Sequence, residues 1–303
     1  MTDVAAADPY EVHRKERLRY FWRNYLAHSI EGGLFVGGLA FVAQDSVLPR
    51  LAELLQAPPW LVGLMPALMW IGIGLPPLFV AHRIERLARY KPLLLVTGVF
   101  QRLPFLLAAL VLLFFGETQP KAALVAVVLA PVLSGFFCGI SITAWMELVA
   151  RTLPSERRAS VFAWRNIISA VIGLGAGGII AAILTRYPGT RGYGLLHLLA
   201  FAMLVASYIG FCVIRETVRP PQNQGPPQSL AANMKSVPGL VRSAPGLRRF
   251  LVLRAFIMGQ FIMIPYLAIH ALRTTGQPDS FLGMLVALQM AGAMVGNFGA
   301  GWA

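Results

Sequence analysis

Eight apolar segments, each long enough to cross a lipid bilayer, dominate this sequence. A helix rises about 1.5 Å per residue, so about 20 apolar residues are needed to span the roughly 30 Å hydrocarbon core. The segments lie at 25–48, 60–81, 93–115, 122–149, 160–184, 193–214, 249–272 and 280–303. Backbone inside lipid must satisfy its own hydrogen bonds, and an α-helix does so within one segment. The sequence therefore predicts an all-α polytopic membrane protein.

Several of these segments contain proline, which would break a helix in a soluble protein. Membrane helices tolerate proline better, because neighbouring groups satisfy the freed backbone atoms. We therefore expect kinks, and not helix ends, at Pro66, Pro76, Pro104, Pro131 and Pro265.

Composition excludes most soluble classes. Only 13% of the 303 residues are charged and 57% are hydrophobic, whereas about a quarter of the residues in an ordinary soluble domain are charged. The net charge of +13 would suggest nucleic-acid binding in a soluble protein, because Lys and Arg neutralise phosphates. Here the cations lie in short clusters between the apolar segments, which is typical of charges that orient membrane helices. We expect the lipid bilayer to be a partner of the chain, and nucleic acid not to be one.

The distribution of Lys and Arg predicts the side of the membrane that each loop faces, because cytoplasmic loops accumulate both residues. If the N-terminus is cytoplasmic, the tail and loops on that side hold 18 Lys and Arg, the opposite loops hold 5, and 3 lie within spans. We therefore predict a multi-pass protein of the plasma (inner) membrane with a cytoplasmic N-terminus. The basic segment His82–Lys91 is then a cytoplasmic loop.

A Pro- and Gln-rich segment, RPPQNQGPPQSLAANMKSVPGLVRSAPGLRR, separates the first six spans from the last two. Its composition favours an extended linker over a packed domain. The predicted organisation is a cytoplasmic tail at 1–24, a six-helix bundle at 25–214, a cytoplasmic linker at 215–248 and the start of a second bundle at 249–303. This layout is typical of transporters whose two bundles are structural repeats.

The layout of spans and basic loops resembles the major facilitator superfamily. The segment LFVAHRIERLARYK has Arg83 and Arg86 in register with that family's loop between helices two and three, and differs from it at Leu78, His82 and Glu85, where the family has Gly, Asp and Gly. The segment ELVARTLPSERRASVFAWRN is similar to the loop after helix four. The resemblance implies two six-helix bundles that rock about a central site. This chain would contain a complete six-helix N-terminal bundle and the first two helices of the second.

The resemblance also implies a cytoplasmic gate built from these two loops. The candidate gate residues are Arg83, Glu85, Arg86, Glu147, Glu156, Arg157 and Arg158. Charge-assisted bonds between the glutamates and the arginines would hold the gate in one state and break in the other. Two other interpretations stay open: a solvated basic loop after the second span, and an ordinary helix cap at Ser155 or Ser160.

Two pairs of glycines at G-x-x-x-G spacing predict close contact between helices. They are Gly33 with Gly37 and Gly173 with Gly177. The second pair is also similar to the glycine-rich fifth helix of antiporters in the superfamily, but it lacks their Gly-Pro pair. We expect helix packing at both places.

The sequence ends in MVGNFGAGWA. In the superfamily the loop motif recurs after helix eight, often beginning with Gly-Trp. If Gly301 is that glycine, we expect the native chain to continue beyond Ala303 into about four more spans, so that this sequence is a truncated part of it.

Ionisable residues within spans are candidates for substrate or ion sites, because a charge in the membrane is costly. They are Glu31, Arg102, Arg165, His197 and Arg254. Arg102 lies near the middle of its span, where transporter sites lie, and would bind an anionic substrate or pair with an acid. Glu31 is the candidate for proton coupling. The alternatives are snorkelling or structural pairing for each arginine and a structural core role for His197.

Motifs for enzyme activity are missing from the sequence. It contains no G-x-x-x-x-G-K-[ST], H-E-x-x-H or G-x-S-x-G motif, and its two cysteines have no metal-ligand spacing. We expect no enzyme activity, cofactor or metal. The leading hypothesis is a secondary active transporter that moves a small solute by alternating access and is driven by protons or another ion. The alternative is a non-transporting membrane protein of the same fold: a sensor, an assembly factor or an inactive truncated product.

Overall fold

A computed structural model describes residues 15–84, 86–217 and 230–300. Within those residues all regular secondary structure is helical. The helices are α1 (Phe21–Leu39), α2 (Val47–Leu54), α3 (Pro59–Gly74), α4 (Pro76–Ile84), α5 (Lys91–Phe115), α6 (Pro120–Thr152), α7 (Ser155–Arg186), α8 (Thr190–Cys212), α9 (Leu230–Ser243), α10 (Pro245–Thr275) and α11 (Phe281–Ala300). A short 3-10 helix, Ala40–Val42, follows α1.

Six segments of the described chain are long and apolar enough to cross a membrane. They are Phe21–Leu54, Pro59–Val80, Lys91–Phe115, Pro120–Thr152, Ser155–Arg186 and Thr190–Cys212, and they coincide with the first six predicted spans. The predicted seventh and eighth spans correspond to α10 and α11, which are not among these six; α11 contains a shorter apolar helix, Phe281–Gly296. The chain is an all-α, multi-pass membrane protein.

The predicted kinks differ in how far they disturb the helix. Pro66, Pro104, Pro131 and Pro265 lie inside continuous helices. At Pro76 the helix is interrupted at Leu75 and resumes as α4. The prediction of a kink and not a helix end is therefore wrong at Pro76. Proline has no N–H to donate and its ring clashes with the preceding turn, which accounts for the end of α3 there.

Helices α3 and α6 pack with their backbones in contact. Gly72 of α3 faces the carbonyl oxygen of Val132, and Gly135 of α6 faces that of Met69. A Cβ at either glycine would overlap the facing oxygen. Glycine is therefore required for this approach, as at other small-residue interfaces of membrane helices.

Helix α1 packs mainly against α7 and α8. Gly33 and Gly37 lie directly against Ile168 and Ile172 of α7. Their spacing brings both glycines to the same side of α1. The backbone of α1 thus lies close to α7, which carries one of the arginines predicted within spans.

The outer surface of the bundle is apolar. Phe114, Val171 and Ile209 are 71%, 61% and 62% exposed. Side chains of this size and exposure are costly in water and favourable in hydrocarbon. This surface therefore fits a lipid environment.

The helices α1, α5 and α7 begin at one end of the bundle, which we call the N-terminal face; we call the other end the distal face. Helix α11 packs on α7, where Gly177 contacts the backbone of Gly283. On α10, the buried side chains Ala268, Ile269 and Leu272 lie in the distal half. Residues 250–257, nearer the N-terminal face, are exposed on every side. Among the side chains that the structure describes, those of the α10–α11 pair therefore contact the six-helix bundle mainly in its distal half.

Candidate functional site

A cavity of about 130 Å³ lies inside the six-helix bundle, between α1, α5, α6, α7 and α8. Three of the five ionisable residues predicted within spans line it: Glu31, Arg102 and Arg165. The rest of the lining is mostly aromatic and aliphatic. The fold thus brings together charges from three separate helices.

Glu31 and Arg165 form an ion pair across α1 and α7. Nη1 of Arg165 donates to Oε2 of Glu31 at 3.1 Å and to the carbonyl oxygen of His28 at 3.3 Å. The Arg165 guanidinium also lies 4.7 Å from the centre of the Trp145 ring, within range of a cation–π interaction. A Cβ on Gly32 would overlap this guanidinium. The absence of a side chain at Gly32 therefore lets Arg165 lie flat against α1.

Arg102 is held by carbonyl, amide and hydroxyl oxygens. Its Nε donates to the carbonyl of Leu204 at 2.6 Å, and its Nη1 donates to the carbonyl of Gly98 at 2.7 Å and to Oε1 of Gln101 at 3.3 Å. Its Nη2 donates to Oγ of Ser207 at 3.3 Å. These bonds occupy four of the five N–H groups of the guanidinium.

In the described part of the chain, no carboxylate lies within ion-pair distance of Arg102. The side chain is buried. Two aromatic rings flank it, with the guanidinium carbon 5.0 Å from the centre of the Tyr208 ring and 5.6 Å from that of Phe35. The cavity lining therefore carries two guanidinium groups and one carboxylate, and its net charge is positive.

The other two candidates lie away from the cavity. His197 is buried in α8, where its Nδ1 is 2.8 Å from the carbonyl oxygen of Tyr193. Arg254 is exposed on α10. Neither lines the cavity. The spacing of residues along a helix does not show which side chains reach the cavity. That depends on how each helix is rotated in the bundle.

A buried ion pair at the N-terminal face joins the end of α6 to the segments before α5 and after α8, and the sequence analysis missed it. Glu216 accepts hydrogen bonds from the backbone N–H groups of Tyr90 and Lys91, at 2.8 and 2.9 Å, and thus caps α5. Nη1 of Arg151 lies 3.6 Å from Glu216 Oε1 and donates to the carbonyl of Ala88 at 2.8 Å. The Arg151 guanidinium is 4.2 Å from the centre of the Tyr90 ring. Burial raises the pKa of the Tyr90 hydroxyl, so this ring faces the arginine as a neutral phenol.

The same face ties the end of α8 to α1 and α5. Nζ of Lys91 donates to the carbonyl oxygens of Cys212 and Ile214, at 2.7 and 2.6 Å. The Asn24 amide exchanges hydrogen bonds with the backbone N–H and C=O of Arg215, at 2.8 and 3.0 Å. A cation and an amide therefore satisfy backbone groups that the end of a helix leaves open.

The acidic and basic residues of the loop after α6 do not pair as the resemblance implied. Glu156 accepts a hydrogen bond from the hydroxyl of Ser155 at 2.7 Å. Arg158 donates to the carbonyl oxygens at the end of α6. In the described part of the chain no ion pair joins Glu147 or Glu156 to Arg157 or Arg158. In this conformation Arg158 acts as a helix cap.

Two of the three gate candidates near the end of α4 are described. Arg83 and Arg86 are exposed, and Glu85 lies outside the described residues. A partner for Glu85 therefore stays a prediction from the family motif.

A polar clamp at the distal face joins the six-helix bundle to α10 and α11. Nε of Arg50 donates to Oδ1 of Asp279 at 2.8 Å, and Nη1 of Arg50 donates to Oε2 of Glu53 at 2.6 Å. The Tyr193 hydroxyl donates to Oδ2 of Asp279 at 2.8 Å, and Arg273 pairs with Glu53. Arg50, Glu53, Tyr193, Asp279 and Arg273 are called the distal clamp below. The sequence analysis missed it because Arg50 and Asp279 are 229 residues apart.

A model of one protein family matches most of the chain. It is the Major Facilitator Superfamily, and the match extends over residues 16–303. No curated protein and no solved structure matches the chain. The family match agrees with the apolar helices and with the charged cavity between them. The chain belongs to the Major Facilitator Superfamily and is a membrane transporter.

Proposed function

We propose that the chain is a secondary active transporter that moves a small solute by alternating access and couples this movement to an ion gradient. The observation that carries the proposal is the Glu31–Arg165 ion pair, 3.1 Å long, on the wall of a cavity inside the bundle. A transporter needs a solute site near the middle of the membrane and a group that exchanges the coupling ion. In this proposal the cavity holds the solute and Glu31 exchanges the coupling ion.

The distal clamp supports alternating access. It links α2 and α8 to the α10–α11 pair at the distal face, whereas residues 250–257 of α10 are exposed nearer the N-terminal face. We propose that the N-terminal face is cytoplasmic, as the distribution of Lys and Arg predicts. The clamp is then the outer gate, and this conformation opens toward the cytoplasm. Rocking of residues 249–303 against the bundle 25–214 would break the clamp and open the other side.

The proposed coupling step uses the chemistry of a carboxyl group. Ionised Glu31 holds Arg165 through a charge-assisted hydrogen bond. A proton on Glu31 would remove the charge and weaken that bond, so Arg165 and α7 would be free to shift relative to α1. The contact between α1 and α7 would therefore differ between the ionised and the protonated state of Glu31. A coupled transporter requires such a difference, because a ligand shifts a conformational equilibrium only if it binds the two conformations differently.

Proton movement in proteoliposomes tests this proposal. The protein is reconstituted with a pH-sensitive dye inside the vesicles, and sugars, amino acids and carboxylates are added outside in turn. We expect at least one solute class to change the internal pH with the unmodified protein. Glu31→Gln keeps the shape of the side chain and removes the exchangeable proton. We expect it to abolish the pH signal but keep solute exchange between the two sides.

Glu117→Gln is the matched control, since Glu117 is an exposed glutamate between α5 and α6. The control should retain the pH signal. A full pH signal from Glu31→Gln would refute the role of Glu31. No solute flux from folded, unmodified protein would favour a non-transporting member of the family, such as a sensor or an assembly factor.

A further inference from the structure

We infer that the cavity binds a small organic monoanion, a carboxylate whose apolar body is about the size of one ring. This inference rests on the proposed function, because it names the solute class for the same cavity. Three observations carry it: the unpaired charge of Arg102, the composition of the wall and the volume of the cavity.

The first observation is a buried cation without a carboxylate. Glu31 is paired with Arg165, and Arg102 forms no ion pair among the described residues. Four hydrogen bonds hold the Arg102 guanidinium in place and leave one N–H on Nη2 for a ligand. An ionised group away from water is costly unless it is paired. A bound anion would supply the missing partner.

The positive charge and the sparse polar groups of the cavity lining argue against cations and sugars as solutes. A cation would meet two guanidinium groups, Arg102 and Arg165, on the wall of the cavity. A sugar would need many hydrogen-bond partners for its hydroxyls, yet the uncharged polar lining with strong hydrogen-bonding groups is Gln101, Ser141 and Tyr208. One negative charge balances the lining, because Glu31 already neutralises one arginine.

The wall and the volume define the apolar part of the ligand. Phe35, Trp145, Tyr208 and Phe211 contribute aromatic surface, and Leu94 and Ile142 contribute aliphatic surface. The volume is about 130 Å³, close to the roughly 150 Å³ of an engineered protein cavity that binds benzene. An apolar body of ring size therefore fits, with its carboxylate directed at Arg102.

Binding of labelled benzoate to the purified full chain in detergent tests the inference. Benzamide and benzylamine have the same ring with a neutral and a cationic group, and they serve as competitors. Benzamide keeps a carbonyl acceptor for Arg102 but lacks the negative charge, so we expect it to compete about tenfold or more less well than unlabelled benzoate. Benzylamine should not compete. Equal competition by benzamide and benzoate, or no saturable binding of benzoate, would overturn the inference.

Arg102→Gln tests the assigned partner of the carboxylate. We expect it to weaken benzoate binding about tenfold or more. Arg186→Gln, at the exposed end of α7, should leave binding unchanged. Because Arg102 also donates to the backbone of α8, Arg102→Gln could disturb folding. Its folding is first checked by size-exclusion chromatography in detergent. If it does not fold, the comparison of benzoate with benzamide on the unmodified protein decides.

The two proposals fail separately. If benzoate binds as expected but Glu31→Gln keeps the pH signal, the solute class stands and the coupling role falls. If benzoate does not bind but another solute gives a pH signal that depends on Glu31, the coupling role stands and the solute class falls.

Discussion

Removal of the Asp279 carboxylate should open the distal face. In the described conformation Asp279 accepts hydrogen bonds from Arg50 and Tyr193, both at 2.8 Å. Tyr193 is fully buried, and a buried donor that loses its acceptor costs about 1–3 kcal/mol. The Arg50–Asp279 pair has side chains 26% and 22% exposed, so solvent screening limits it to about 0–1 kcal/mol.

Asp279→Ala should therefore destabilise the closed distal face by about 1–3 kcal/mol, because an open face lets water satisfy Tyr193. A change of this size shifts the ratio of the two conformations roughly 5- to 150-fold. Spin labels at the exposed positions Gln119 and Gln277 would report it through distances measured by pulsed electron spin resonance. Cys138 and Cys212 are first replaced by alanine. We expect a longer distance to become dominant in Asp279→Ala.

Two variants separate the contributions within the distal clamp. Asp279→Asn keeps an acceptor for Tyr193 and loses only the charge, so its shift should stay below about 1 kcal/mol. Arg273 is 69% exposed beside Glu53, and Arg273→Gln should have almost no effect. An unchanged distance distribution in Asp279→Ala would refute the assignment of the distal clamp as a gate. An equal shift in Arg273→Gln would refute the assignment of the Asp279 carboxylate as the group that keeps the distal face closed.

Two further predictions concern stability, measured as thermal unfolding in detergent. Gly135→Ala should lower the unfolding temperature, because the added Cβ would overlap the carbonyl of Met69. Gly175→Ala is the control and should not lower it, because a Cβ there has nothing within 4 Å. Equal unfolding temperatures of the two variants would contradict the close packing of α3 and α6. Arg151→Met should lower the free energy of unfolding by up to about 3 kcal/mol, because it leaves the buried Glu216 carboxylate without its cation. The two backbone N–H groups that still bond to Glu216 reduce this loss. Arg151→Met combined with Glu216→Gln, which removes the charge and keeps an oxygen acceptor for the backbone N–H groups, should recover part of that loss, and a double variant less stable than the single one would show that the unpaired charge is not the cause.

The spans and the family were predictable because they depend on local properties. Bilayer thickness sets a length of about 20 apolar residues, so the first six predicted spans agree with the segments found in the structure. Glu31, Arg102 and Arg165 were selectable as candidates because each is a charge within an apolar segment, which is costly wherever the segment packs. Their roles stay predictions.

The sequence by itself determined which segments enter the membrane and which charges they carry there. Only the tertiary structure decided which of those charges meet, because the rotation and depth of each helix depend on contacts such as Gly32 beneath Arg165. It placed His197 and Arg254 away from the cavity, and among the described residues it left Arg102 without a direct ion pair. It also paired Arg151 with Glu216 and Arg50 with Asp279, far apart along the chain. No local pattern encodes such pairs, because their hydrogen-bonded contact requires N···O distances of about 3 Å that only the packed helices set.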